Sequence, residues 1–306
     1  MSVVVPMRRG RGKAQATLRL IEACQEILAE IQPATVRAVC YRLFTMGLIA
    51  DMGKNSTNKA STQIVWAREQ GHIPWAWVVD ETREAERVNT WSNSDEIINA
   101  AVRGYRRDYW QDQPNRVEVW SEKGTVRGTL APVLQELGVT FRVMHGFASA
   151  TTINAIADES NDDPRDFIAL YVGDFDPSGM FMSEVDLPGR MDRYGGEVQI
   201  MRVALLPGDL DGLPSFDVET KTGDARYDWF RGRYGSRCWE LDAMSPNDLR
   251  ERVRAVIEAH IEKPAWDRAI EIEQAEVESM RLFHGEWKRR ISGPATKYPA
   301  EGGDDA

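Results

Sequence analysis

Residues 167–179 read FIALYVGDFDPSG, and their reading decides the fold. The apolar run 167–172 is the signature of a strand buried on both faces of a parallel sheet, and it stops at Gly173. Asp174 and Asp176 follow, then Pro177 and Gly179 where the backbone turns toward a helix. This puts paired acids at a strand tip. In open parallel sheets ligands sit in the crevice beyond the carboxyl ends of the strands, and two acids there suit a hard cation such as Mg²⁺. The same residues also suit an Asx-type turn capping the next helix, and on this segment alone both readings stand.

Working outward, 116–120 reads as a strand followed at once by Ser121-Glu122-Lys123-Gly124. A helix to 137, a strand at 139–144, a helix near 148–158, the central strand, a helix from 178 and a strand at 197–205 complete βαβαβαβ. Such alternation predicts an α/β domain over 116–242, with a parallel sheet covered by helices. If the strands carrying Glu122 and the Asp174–Asp176 pair are neighbours, three carboxylates converge. Uncompensated, they repel, so the cluster implies a divalent cation or raised pKa values.

Upstream, residues 14–92 carry a helical pattern that ends at Gln32-Pro33, then Thr35 as N-cap of a second helix, and a third helix over 56–70 closed by Gly71. Arg37 and Tyr41 lie four residues apart on one face of the second helix. A phenol titrates near 10, so as a nucleophile it needs a neighbouring cation, base or metal, and Arg37 supplies a charge. A tyrosine packed at a helix interface fits the same spacing. Lys59, Gln63 and Arg68 give the third helix a polar, cation-bearing surface, and 73–79 (IPWAWVV) reads as a strand or hairpin arm. Three short helices and a strand form a winged-helix pattern, whose third helix would enter a DNA groove.

Residues 93–115 read as a connector helix in which Arg103, Arg106 and Arg107 mix with Tyr105, Tyr109 and Trp110, as a phosphate-contacting surface or as a buttress between domains. Downstream, Lys221, Arg226, Arg231, Arg233 and Arg237 interleave with aromatics as a second DNA-facing surface. Asp209, Asp211 and Asp217 fit no calcium loop and read as solvated acids. Residues 243–291 form amphipathic helices, 1–13 a basic tail and 292–306 a disordered tail.

A net charge of -10 on 306 residues argues against indiscriminate polyanion binding. Cys24, Cys40 and Cys238 are too scattered for a disulfide framework or thiolate metal site. No apolar stretch is long enough to cross a bilayer and the N-terminus lacks signal-peptide order, so a cytoplasmic, nucleoid-associated protein is expected.

Glu122-Lys123 after one strand and GDFDPSG at 173–179 after another resemble a Toprim domain, the metal-binding module of topoisomerases, primases and related nucleases. Thr35-Val36-Arg37-Ala38-Val39-Cys40-Tyr41 is similar to the tyrosine segment of the A subunit of DNA topoisomerase VI and of the meiotic double-strand-break proteins. The order, helical domain with tyrosine first and Toprim second, spans 35–205 and resembles compact stand-alone members of that family. Cys40 stands where the family often has an aromatic residue, and the chain beyond 205 has no matched counterpart.

The resemblance implies that Tyr41 is the nucleophile, with Arg37 its neighbouring cation. It implies Mg²⁺ on Glu122, Asp174 and Asp176, and DNA-contacting roles for Lys59, Gln63, Arg68 and Lys123. It implies double-stranded DNA as substrate and a homodimer in which each tyrosine meets its partner's metal site. The chain has no phosphate loop, so ATP-driven strand passage would need a separate ATPase subunit. A hydrolytic Toprim nuclease with a structural Tyr41, and a non-catalytic winged-helix DNA-binding protein, remain as alternatives.

Overall fold

The computed structural model describes residues 15–79, 90–144 and 150–291. The expected tails at 1–13 and 292–306 lie outside the described residues. In chain order come α1 (Gln15–Ile31), β1 (Ala34–Thr35), α2 (Val36–Thr45), α3 (Lys54–Glu69), β2 (Val78–Val79) and α4 (Ser94–Gly104). Then follow β3 (Asn115–Ser121), α5 (Thr125–Leu137), β4 (Thr140–Val143), α6 (Ala150–Asp162), β5 (Asp166–Val172), α7 (Pro177–Phe181), α8 (Leu187–Arg193) and β6 (Val198–Ala204). The rest is β7 (Phe216–Asp217), α9 (Tyr227–Tyr234), β8 (Arg237–Cys238), α10 (Pro246–Glu258) and α11 (Lys263–Ile291).

The chain divides into two compact units, one of Met1–Arg83 with Pro114–Ile261, the other of Glu84–Gln113 with Glu262–Ala306. The first unit therefore joins the N-terminal helices, the sheet and α10. The expected domain limits, 14–92, 93–115, 116–242 and 243–291, cut the chain differently. The difference has a physical cause: α4 and the segment after it find their apolar partners on α11, more than 150 residues later, which local periodicity does not reveal.

The four-stranded sheet of the first unit has the order β4-β3-β5-β6, every pair parallel. β5 is buried along 167–172, which explains why its sequence is a continuous apolar run rather than an alternating one. β3 pairs directly with β5, with Trp120 opposite Tyr171 at their carboxyl ends. The chain steps from β3 to β4 on one side, then crosses back to lay β5 on the other. The β3–β5 crevice is thus a topological switch point, the place where this kind of sheet opens to a ligand.

β3 also carries a buried charge. Glu118, 2 % exposed, accepts from Arg142 Nε (2.8 Å) and Nη2 (2.9 Å), from Arg116 Nη2 (2.7 Å) and from Trp120 Nε1 (2.8 Å). Burial alone would lift its pKa, but the two guanidiniums and the indole outweigh that and hold it below the usual carboxylate range.

In the N-terminal helices, Ile21, Cys24, Leu28 and Ile31 of α1 pack with Val39 and Leu43 of α2 and Ile64 of α3. Thr35 caps α2, its Oγ1 accepting from the Ala38 N–H at 3.0 Å. Gly71 closes α3 at φ +74°, a left-handed conformation that suits glycine. The expected strand arm at 73–79 is instead a 3₁₀ turn at Trp75–Trp77 leading into β2, which pairs in parallel with β1 and does not fold back as a hairpin. Arg68 causes this locally: its guanidinium stacks 4.2 Å from the Trp75 ring centroid and donates to the Trp75 carbonyl at 3.2 Å. Arg250 of α10 donates to the carbonyls of Ile31 (2.9 Å), Gln32 (3.2 Å) and Pro33 (3.0 Å), and to that of Thr129 on α5 (3.1 Å). A cation at the carboxyl end of α1 complements the exposed carbonyls and the helix dipole.

In the second unit, the cations and aromatics of the expected connector brace α11. Tyr105 Oη donates to Glu276 at 2.6 Å, Arg107 Nη1 pairs with Glu276 at 3.1 Å, and Tyr109 and Trp110 both meet Trp266 edge-on. Of the two readings of this cluster, the described residues display helix packing within one unit.

Candidate active site

Two site elements converge within the first unit: the strand-tip turn 173–179 and the tyrosine face of α2. The turn is built from both sides. Asp176 caps α7, its Oδ1 accepting from the Gly179 N–H at 2.8 Å, so the capping reading of this segment is correct. The cap leaves the second oxygen of Asp176 directed at Lys221 Nζ, 3.3 Å away. Asp174 divides its oxygens likewise, Oδ1 accepting from the Leu241 N–H at 2.9 Å and Oδ2 lying 2.7 Å from Lys123 Nζ.

Behind the turn, Arg202 of β6 donates to the carbonyls of Gly173 (2.8 Å), Gly179 (3.0 Å) and Leu205 (2.8 Å), to Ser183 Oγ (2.8 Å) and to the Asp174 carbonyl. One planar guanidinium thus sets the backbone on which both aspartates ride. In front, Phe175 pairs with Trp239 in both directions, Phe175 N–H to the Trp239 carbonyl at 2.8 Å and the reverse at 3.0 Å. Its ring is boxed edge-on by Phe230, Tyr234 and Trp239. The aromatics of the expected second DNA-facing surface therefore clamp the acidic turn. Its cations are also engaged, Arg231 with Glu219 at 3.2 Å and Arg237 with Ser215.

Glu122 follows β3 directly across the switch point. Burial, then repulsion from Asp176 and Asp174, pushes its pKa up, against a smaller opposing pull from Lys123 and Lys221. Asp176 is also raised, by burial and by Asp174. On Lys123, burial pulls the pKa down, but the Asp174 carboxylate wins and leaves it raised. The three acids therefore feel one another, as their strand-tip positions imply. In donor type and charge they fit a hard divalent cation. They are not drawn tight around one: among the described residues no three acidic, histidine or cysteine side chains form a group that could hold a metal ion, and the two ammonium groups neutralise the aspartates instead.

Because asparagine caps as well as aspartate, Asp176→Asn is expected to keep the melting temperature or raise it by relieving repulsion, whereas Asp176→Ala should cost about 1 kcal/mol. Thermal denaturation of both variants checks this. A large loss in Asp176→Asn would mean that its charge stabilises the fold.

Tyr41 lies on α2 beside Arg37, whose guanidinium carbon is 5.9 Å from the ring centroid. Arg37 makes a two-pronged pair with Glu240, and the charges of both side chains bear on the phenol. The cation pulls the phenol's pKa down, as the sequence suggested, but does not prevail. Burial and Glu240 raise it, and together they outweigh Arg37. Tyr41 is 4 % exposed, yet with Arg37, Phe44, Phe216, Lys221 and Glu240 it lines a cavity of about 550 Å³. The lysine paired with Asp176 and the phenol thus open on one space.

Sequence reading missed the segment that joins the two halves, 239–242. Trp239 pairs with Phe175, Glu240 holds Arg37 beside Tyr41, Leu241 donates to Asp174, and Asp242 accepts from Thr35 Oγ1 at 2.5 Å. Its only local signal was the pair of acids in WELDAM, which match no motif.

Of the expected DNA contacts, Lys59 is exposed and Gln63 half-buried on one face of α3, four residues apart. Arg68 stands nine residues from Lys59, half a turn out of phase, and is committed to Trp75, so the three do not share a face. Lys123 sits in the acidic cluster. Burial pushes the thiols of Cys24 and Cys238 up to about 12, and Cys40 up to about 11, as suits buried packing residues. No described helix is long and apolar enough to cross a membrane. Comparison of the chain with protein-family models, curated proteins and solved structures found no match.

Proposed function

We infer that the chain cuts double-stranded DNA by transesterification, with Tyr41 as nucleophile and Glu122, Asp174 and Asp176 as ligands of Mg²⁺. In this reading the N-terminal helices act as a winged-helix module and the parallel sheet as a Toprim module. Two chains act together to cut both strands, and any ATP-driven strand passage relies on a separate ATPase subunit. The observation that carries the reading is the junction at 239–242, where Glu240 pairs with Arg37 beside the tyrosine and Leu241 donates to Asp174 of the acidic turn.

The chemistry follows from the residues. A backbone phosphate entering the cavity competes with Glu240 for Arg37. Glu240, released from its cation, then accepts the Tyr41 proton. The phenolate oxygen bonds to phosphorus and the P–O3′ bond breaks, its electron pair leaving on O3′, which takes a proton from water. The products are a 5′-phosphotyrosyl link and a free 3′ hydroxyl. Mg²⁺, when bound, supplies polarisation of the phosphate and neutralises charge on the leaving oxygen. Lys123 and Lys221 keep the aspartates charge-balanced until then.

A second reading has an observation in its favour. The near-complete burial of Tyr41 and its raised pKa suit a hydrolytic nuclease in which the tyrosine is structural. One experiment separates the two: supercoiled plasmid is incubated with Mg²⁺, quenched with detergent and run with and without proteinase. Wild type should give protein-linked breaks, and Tyr41→Phe should lose them by about 1000-fold or more. Unlinked breaks that survive in Tyr41→Phe would establish the hydrolytic reading instead.

A further inference from the structure

The cavity of about 550 Å³ beside α2 has a lining that the cleavage chemistry leaves mostly unused. α2 contributes Arg37, Tyr41 and Phe44, and residues 214–221 contribute Phe216 and Lys221. Each of these segments brings a cation set by a ring. The Arg37 guanidinium carbon lies 5.9 Å from the Tyr41 ring centroid, and Lys221 Nζ lies 5.9 Å from that of Phe216. Both cations are paired with carboxylates, Arg37 with Glu240 and Lys221 with Asp176 at 3.3 Å. Neither is used up by its pair. A guanidinium has five N–H donors, of which Glu240 engages two, an ammonium has three, and the two side chains are 42 % and 40 % exposed.

These features narrow the ligand. Cations beside rings suit a molecule with an anionic group and a flat aromatic body. Phe44 and Phe216 are only half-buried, so both rings keep surface for stacking. The lining also holds the exposed Asp51, whose Oδ1 accepts from the Gly53 N–H at 2.9 Å. A carboxylate there repels a plain polyanion, yet its second oxygen can accept from the amino group of a base, as acidic side chains accept from cytosine N4. Anion, flat ring and amino donor in one molecule describe a nucleotide. The size agrees, since pockets of about 300–1,000 Å³ bury most of a small ligand, whereas a duplex with a major groove about 12 Å wide cannot enter.

We propose that this cavity binds one nucleotide unit, its phosphate held by Arg37 and Lys221, its base stacked on Phe44 and Phe216 and its amino group read by Asp51. The inference goes beyond the cleavage reading, and binding does not require Tyr41 to attack. The same chemistry has two sources, a free nucleoside monophosphate or one nucleotide of a DNA strand turned out of the stack. Thymine lacks an amino group and is the base the site should hold least.

Isothermal titration calorimetry of the full chain at low salt tests this with the four deoxynucleoside monophosphates. dCMP, dAMP and dGMP should bind, with dTMP about fivefold weaker and deoxycytidine, which has no phosphate, about tenfold weaker or more. Lys221→Gln and Phe44→Ala should each weaken dCMP about tenfold, whereas Lys263→Gln on α11 should leave it unchanged. Asp51→Asn keeps the acceptor for Gly53 at an exposed position, so it answers even if Phe44→Ala fails to fold, and it should bring dCMP and dTMP within about twofold of each other. No binding of dCMP by wild type, equal binding of inorganic phosphate, or dCMP binding unchanged in Lys221→Gln and folded Phe44→Ala overturns the proposal. A single-stranded oligonucleotide that displaces dCMP assigns the unit to a strand, and one that does not assigns it to a free nucleotide. Tyr41→Phe keeps the ring and should bind dCMP within about twofold of wild type, so loss of linked plasmid breaks and loss of nucleotide binding are separate results.

Discussion

Replacing Glu118 by alanine is expected to cost the sheet-containing unit about 3 kcal/mol and to lower its melting temperature by roughly 6–12 °C. The carboxylate is 2 % exposed and accepts four hydrogen bonds, three of them from guanidiniums. Removing it leaves Arg142 and Arg116 with Glu159, and Arg116 with the more distant Asp163 at 3.9 Å, and leaves the Trp120 indole N–H without its acceptor. The two arginines are each about a quarter exposed, so water recovers part of the loss, which sets the figure at the low end for a broken buried pair.

Acid should produce a related effect. The folded pKa of Glu118 lies below its unfolded value of about 4.3, so its contribution is complete above that pH and drains away as pH falls through the depressed folded value. Urea denaturation of wild type and Glu118→Gln between pH 7 and pH 3 checks this. The variant should be the less stable at neutral pH and should lose less on acidification. Equal slopes would remove the ion network from the acid stability of the protein.

Gly179→Ala is the other large effect. A Cβ there would lie 2.3 Å from the Asp174 carbonyl oxygen, which is backbone held by Arg202 and has nowhere to move. The turn must open, at a cost of about 3 kcal/mol, and the two aspartates lose their common geometry as it does. Gly189→Ala is the matched control, since that position lies in α8 with nothing within 4 Å of the added carbon. It should stabilise by about 0.5–1 kcal/mol, as alanine does in place of a helical glycine. Unfolding midpoints of the pair should move in opposite directions. Similar midpoints would mean that the turn tolerates a side chain and that its close approach is not a constraint.

Much of the sheet was legible in the sequence, because its signals are local. The buried run of β5, the alternation of strands with helices, and the abrupt stop at Gly173 fix each element without reference to the rest of the chain. The Thr35 cap and the Gly71 stop were equally local. Glu122 and Asp174 could be set on strand tips, because parallel strands follow from alternation, but that β3 and β5 are neighbours came from the structure alone. What could not be read depends on side chains meeting across long separations. Glu240 became important through Arg37, 203 residues away, and WELDAM carries no mark of that. Glu118 sits in an alternating strand and would pass for a surface acid without Arg142 from the next strand. The aromatics of α9 read as a nucleic-acid surface because spacing cannot reveal that Phe175 draws them inward.

The distance along the chain between α2 and its supports has a consequence for how the protein is made. Arg37 waits for Glu240, Thr35 for Asp242, and the end of α1 for Arg250, separations of 203, 207 and 219 residues. At ordinary translation speeds that interval lasts roughly 10–40 s, during which the tyrosine helix has emerged but its restraints have not. A nascent or prematurely terminated chain therefore carries Tyr41 without the Arg37–Glu240 pair beside it and without the bond from Leu241 to the turn. The face of α2 that bears Tyr41 therefore takes its final form only when the last fifth of the chain arrives.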